Sequence, residues 1–158
     1  MDQDDLSDVV NTVNRSFRAA IFSMDYHLLR IILDFSKEIQ AAYTKKDYEQ
    51  AQYFLNKGFW DIGIYIQMKI NSYSSISCDF FEDIVLNIRK YLKTASTHAF
   101  TPDNLKRCFK LVELANEIWF EEMAKRFTWR EIADALDEAN SQKGLEIFLG
   151  KGSNKSCF

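Results

Sequence analysis

Residues 48–70 read YEQAQYFLNKGFWDIGIYIQMKI, and apolar side chains cover almost every side of the helix that they predict. One stripe at helical spacing consists of Tyr48, Ala51, Leu55, Phe59, Ile62 and Ile66. Further apolar residues lie off that stripe: Phe54, Trp60, Ile64, Tyr65 and Met68. A helix that is apolar nearly all round is usually buried on all sides. The stretch therefore predicts a central hydrophobic helix, with the alternative that its second face binds a partner.

The remaining sequence repeats helical spacing in segments that begin near residues 5, 25, 79, 101 and 128, with a short last helix near 144–149. Thr101-Pro102 and the pair Thr128 and Glu131 are typical helix starts. The segment that begins at Thr101 continues to Met123 as one predicted fifth helix. One proline and five glycines are too few turn formers for a many-stranded sandwich or barrel. We predict an all-α fold, a compact irregular bundle of six to seven helices, forming one domain over residues 1–150 with a flexible tail at 151–158.

The amino-acid composition argues against several classes of protein for this chain, among them disulfide scaffolds, zinc proteins and membrane proteins. The chain has 158 residues, a formal net charge of −3 and 15% aromatic residues, an excess that fills cores but also anchors interfaces. Its three cysteines form no CxxC pair, so neither a disulfide scaffold nor a zinc site is expected. No apolar run is long enough to span a bilayer, and the acidic N-terminus lacks a signal sequence. We expect a cytoplasmic protein without metal or cofactor.

Catalytic residue patterns are scarce. The chain has only His27 and His98, and neither belongs to a nucleophile or metal motif. His98 follows Lys93 at a spacing that resembles the Arg–His motif of HEPN-type RNases, but lysine stands where those enzymes carry arginine. The resemblance implies phosphodiester cleavage and is kept as an alternative. We predict that the protein is not an enzyme.

Charge is distributed unevenly along the chain. Residues 86–110 carry six bases and one acid, whereas residues 113–138 carry eight acids and three bases. Glu113, Glu117 and Glu121 step by four, so they are predicted to share one face of the fifth helix. Acidic residues of the sixth helix would extend this surface if that helix folds back alongside. The candidate partner-binding residues are Glu113, Glu117, Glu121, Glu122, Asp134, Asp137, Trp119 and Phe120, with Trp129 and Tyr65 as further possible anchors.

These features favour a non-catalytic protein-binding module. Acidic patches attract basic proteins at long range, and exposed aromatic residues then supply affinity. The most specific hypothesis is an acidic inhibitor or immunity-type protein that covers the active site of a basic enzyme such as a nuclease toxin. Three alternatives remain open: a solvated acidic face without a partner, nucleic-acid binding through the basic region 89–110, and a HEPN-like RNase that uses this region and His98.

Overall fold

The computed structural model describes residues 26–72, 79–91 and 99–156, and these ranges contain seven helices and no strand. The helices are α1 (26–44), α2 (Tyr48–Ser72), α3 (Phe80–Tyr91), α4 (Pro102–Leu114), α5 (Glu117–Arg126), α6 (Trp129–Glu138) and α7 (Gln142–Ser156). The prediction of an all-α bundle is confirmed. The helix predicted near residues 5–22 lies outside the described residues. Lys93 and His98 also lie outside them. The single domain over residues 1–150 stays a prediction.

The turn between α1 and α2 reverses the chain in three residues. Lys46 has a φ of 58°, and its N–H donates to the Tyr43 carbonyl while the N–H of Asp47 donates to the Ala42 carbonyl. This pattern is the Schellman motif, in which a left-handed residue ends a helix. The Asp47 carboxylate then accepts from the N–H of Gln50 at 3.2 Å, which is the typical interaction of an N-cap residue. The turn brings the end of α1 beside the start of α2.

Helix α2 packs against α1, α4, α5 and α6. Its buried residues contribute to two apolar clusters, one shared with α1, α3 and the start of α4, the other with α5, α6 and α7. Phe109 and Trp129 pack against both clusters. The helix is not buried all round, because Tyr48 and Met68 are exposed. Tyr43 is also exposed, although it continues the apolar helical spacing of the segment that begins near residue 25.

The predicted fifth helix is wrong in its length. It ends at Leu114, and α5 begins at Glu117 after two residues of extended backbone. The Asn116 side chain accepts the N–H of Trp119 at 2.8 Å and caps the new helix. Glu113 therefore belongs to α4, whereas Glu117 and Glu121 belong to α5, so the three glutamates do not share one helix face.

The predicted start signals of α4 and α6 are confirmed. Thr101 accepts the N–H of Asn104, and Thr128 forms a complete capping box with Glu131. Asn104 also links the two helices, because its side-chain oxygen accepts from the Trp129 indole at 2.8 Å. Helix α7 packs on α6 and continues through Ser156, into the segment predicted as a tail. The flexibility of residues 151–158 stays a prediction.

Candidate protein-binding surface

A cluster of three carboxylates lies around one lysine where α2 meets α5. Lys57 Nζ lies 3.6 Å from Glu117 Oε1 and 3.8 Å from Glu121 Oε2. Asp61, one turn further along α2, also interacts electrostatically with Lys57. We call Asp61, Glu117 and Glu121 the acidic cluster. Because one ammonium faces three carboxylates, this part of the surface keeps an excess of negative charge.

The pKa values of Asp61, in this cluster, and of Tyr53, beside it, are both raised. Burial raises the pKa of Asp61, and Glu117, Glu121 and Glu38 add to that effect while Lys57 opposes it. The Tyr53 hydroxyl donates to Glu121 Oε1. Burial, this hydrogen bond and the negative charge of Glu121 raise the pKa of Tyr53 to about 12. The hydrogen bond and the lysine together hold Glu121 against α2, so its carboxylate is less available than that of Glu117.

The outer face of α5 consists of Glu117, Ile118, Glu121 and Glu122. Ile118 is 84% exposed, the most exposed of the large apolar side chains in the described ranges. The side chains of Glu117 and Glu122 are 71% and 69% exposed, and Glu122 makes a single contact of 3.9 Å with Lys125. Residues three and four positions apart are neighbours on a helix surface, so Ile118 lies beside Glu121 and Glu122. The outer face of α5 thus presents the exposed Ile118 side chain with carboxylates on either side of it.

A second group of acidic residues lies between α4 and α6, and one of its carboxylates is tightly paired. Arg107 donates to both carboxylate oxygens of Asp137, at 2.9 and 3.1 Å, and this bond raises the pKa of the guanidinium. Bidentate pairs of this kind have well-defined geometry. Asp103 and Asp134 also interact electrostatically with Arg107. The acidic residues of the sequence therefore form two groups that pair with cations from different helices, rather than one continuous surface.

The structure removes some candidate anchors and retains others. Phe120 is 0% exposed and stacks on Trp60 at a centroid distance of 4.6 Å, so its side chain cannot contact a partner. Tyr65 is also buried. Trp119 and Trp129 are half-buried, and both pack against the second apolar cluster. Phe120 and Ile118 are two positions apart on α5 and therefore point to different sides of the helix. Helical spacing in the sequence did not show which of the two is buried.

The remaining acidic candidates differ in how they are partnered. Glu113 is exposed and accepts from the Gln67 side-chain amide at 2.9 Å. Asp134 is exposed, and within the described residues its carboxylate has no hydrogen bond or ion pair. Asp137 is neutralised by Arg107, so it contributes little excess charge. Of the predicted set, Glu117 and Glu122 on the outer face of α5 and Asp134 on α6 keep the most accessible charge.

In the described part of the basic region 89–110, two of the cations are already bound by other residues of the chain. Arg107 is bound to Asp137, and Lys110 Nζ donates to the Leu136 carbonyl. Lys106 Nζ lies 5.8 Å from the centre of the Phe81 ring. Arg107 and Lys110 would therefore gain less from a phosphate, whereas Arg89 and Lys106 are exposed.

Residues 26–72, 79–91 and 99–156 contain neither a grouped set of metal ligands nor a membrane-spanning helix. Within these ranges, no three His, Cys, Asp or Glu side chains are grouped so as to hold a metal ion. No helix in the same ranges is long and apolar enough to cross a membrane. Cys108 is a free, fully buried thiol, and burial raises its pKa.

Comparison with known proteins finds no relative. No protein-family model, no characterised protein and no solved structure matches the chain.

Proposed function

We propose that the protein is a non-catalytic binding module that docks a basic partner protein on the outer face of α5. The observation that carries the proposal is the exposure of Ile118 between well-exposed glutamates. An apolar anchor surrounded by charge resembles the arrangement of protein interfaces, in which an apolar centre supplies affinity and a charged rim supplies steering. In its most specific form, the partner is a basic enzyme such as a nuclease toxin, whose active site the protein covers.

Charge balance supports a cationic partner for this face. The acidic cluster has one lysine for three carboxylates, and Glu122 adds a fourth carboxylate beside Lys125. A basic surface of a partner could therefore neutralise these carboxylates without breaking a strong ion pair within the protein. The bidentate Arg107–Asp137 pair would have to be broken to bind a cation, which makes the α4–α6 side a poorer docking site.

The experiment is site-specific photo-crosslinking in lysate of the source cells. A photoreactive residue replaces Ile118 in one variant and Leu86 in the other. Helix α3 supplies a matched control, because Leu86 is 63% exposed and the exposed Glu82 precedes it by four positions, so an apolar residue and a glutamate again lie one turn apart. We expect position 118 alone to capture a basic protein, and mass spectrometry identifies it.

Charge reversal then tests the electrostatic part with the captured protein in purified form. Glu122→Lys should weaken binding and make it less dependent on salt, whereas Glu82→Lys should leave both unchanged. Two outcomes would contradict the proposal. One is equal capture at positions 118 and 86, and the other is capture of an acidic protein at position 118. If the partner is an enzyme, the wild-type protein should inhibit it and Ile118→Ala should inhibit it less.

A further inference from the structure

A second surface feature lies on the other side of α2, where α1, α2 and α6 meet. It is a groove of about 430 Å³ that is open to solvent. Its lining residues are Ile39, Tyr43, Tyr48, Ala51, Gln52, Leu55, Thr128, Trp129 and Arg130. This volume is large enough for a bulky apolar side chain and the backbone on either side of it.

Two tyrosines form one wall of the groove. Tyr43 and Tyr48 are 58% and 60% exposed, and their rings meet edge to face at a centroid distance of 5.5 Å. Neither hydroxyl has a hydrogen-bond partner within the described residues. The Schellman turn at Lys46 holds the two rings together although neither is buried. Tyrosine is enriched at binding surfaces, where its ring supplies apolar contact and its hydroxyl a hydrogen bond.

The floor of the groove is apolar. The Trp129 indole N–H is already bound to Asn104, and the ring packs against Phe59 at a centroid distance of 4.5 Å, so the ring offers only apolar surface to the groove. Ile39 and Leu55 complete this floor.

Charge at the groove has the opposite sign from that on α5. Among the described residues that line it, Arg130 is the one charged side chain; it is exposed and makes no ion pair in the described part of the chain. The hydroxyl of Thr128, which also lines the groove, is bound to Glu131. A ligand that filled the groove would therefore meet an unneutralised guanidinium at its edge.

We propose that this groove binds a peptide segment of another protein in which a bulky apolar side chain is flanked by a carboxylate. The apolar side chain occupies the space between Tyr48 and Trp129, and the carboxylate pairs with Arg130. The tyrosine hydroxyls supply hydrogen-bond donors for the peptide backbone. This site is independent of the outer face of α5, and it selects for the opposite charge.

The test uses three capped synthetic peptides: Gly-Asp-Leu-Phe-Asp-Gly, the basic analogue Gly-Lys-Leu-Phe-Lys-Gly, and Gly-Asp-Ser-Ser-Asp-Gly without the apolar pair. Binding is followed by NMR of the indole N–H signals. The chain contains Trp60, Trp119 and Trp129, and only Trp129 lines the groove. We expect the first peptide to shift the Trp129 signal in a saturable way, and the other two to shift it little.

Variants of exposed residues test the roles of charge and shape without disturbing the core. Arg130→Glu should weaken binding of the acidic peptide about fivefold and make the basic peptide the better ligand, since the interaction changes from attraction to repulsion. Replacing Tyr43 and Tyr48 together by Ser should abolish binding of both. Matched controls are Arg89→Glu on α3 and Tyr26→Ser on α1, both at exposed positions outside the groove.

Three results would overturn the proposal. The first is a Trp129 signal that does not respond to the acidic apolar peptide. The second is an Arg130→Glu variant with the charge preference of the wild type. The third is a Trp129 signal that moves with protein concentration alone together with dimers in sedimentation, because the groove would then be occupied by a second copy of this chain.

Discussion

Helix α2 meets α4 and α5 through two contacts of opposite chemistry. Against α4 it presents Gly63, where an added Cβ would overlap the backbone carbonyl oxygen of Cys108, so the two backbones are in direct contact. Against α5 it presents Asn56 and Lys57, which bind backbone carbonyls and carboxylates. The first contact is specified by shape and the second by hydrogen bonds and charge. Because the second contact includes the Lys57 ammonium and two carboxylates, it should respond to pH and salt, and it positions the outer face of α5.

The largest effect is expected from Gly63→Ala. The new methyl group would collide with the Cys108 carbonyl and the Val112 side chain, and a backbone atom cannot move without shifting α4. We expect a loss of about 3 kcal/mol in the free energy of unfolding, despite the better helix propensity of alanine. Urea denaturation measures it. Gly150→Ala in α7 is the matched control, since no atom outside its own helix backbone lies within 4 Å of the added methyl group; an equal loss in both variants would show that the α4 contact is not special.

The next effect concerns Asn56, which is fully buried. Its amide donates to the carbonyls of Ala124 and Phe127, at 3.1 and 2.8 Å, and these groups at the end of α5 have no helical partner. Asn56→Ala should lower the free energy of unfolding by about 2 kcal/mol, because two buried carbonyls lose their donor. Hydrogen exchange should show faster opening of α5 than of α4. Equal acceleration in both helices would mean that the contact does not hold α5 in particular.

A smaller effect is expected from Lys57→Met, which keeps the length of the side chain and removes its charge. The acidic cluster then lacks its cation, and we expect a loss of about 1 kcal/mol at pH 7 and low salt. The loss should shrink in high salt and below pH 4, where screening and protonation relieve the repulsion among the carboxylates. Urea denaturation at two salt concentrations checks this. A loss that salt does not change would assign the role of Lys57 to packing of its methylene groups.

The smallest effect is a gain in stability. Burial raises the pKa of Asp61 in the folded state, so the folded state binds a proton more readily than the unfolded state, and stability falls as the pH rises through the raised pKa. Asp61→Asn removes that penalty. The variant should be more stable than the wild type at pH 7, and the difference should disappear below the unfolded pKa. Asp83→Asn at an exposed position of α3 is the control, and a gain at pH 4 equal to that at pH 7 would contradict the electrostatic origin.

Local sequence was sufficient for most helix starts. The Thr128 capping box and the Thr101-Pro102 start are interactions within four residues, so they form wherever the segment lies. The break between α4 and α5 also has a local signal, since Asn116 precedes Glu117 as an N-cap precedes an acidic first turn. It was missed because apolar spacing continues across the break, from Val112 to Trp119.

Local sequence did not show which side chains of a helix are exposed at the surface. Phe120 and Ile118 lie on one short helix, and periodicity alone does not show which side faces α2. The stacking of Phe120 on Trp60 settles it, and that contact joins residues far apart in the chain. The groove formed by Tyr43 and Tyr48 was missed for a related reason, because both tyrosines fit apolar stripes and yet lie beyond the edge of the core.

The amino-acid order alone specifies an all-helical chain, its caps and an excess of acidic residues after position 112, because propensity, capping and composition act over a few residues. Which carboxylates keep their charge for a partner depends on the packed fold. Tyr53 and Lys57 reach Glu121 across more than 60 positions of chain, and Arg107 reaches Asp137 across 30. Coulombic and hydrogen-bond energies depend on distance in space, so neutralisation of a charge is decided only when the helices pack.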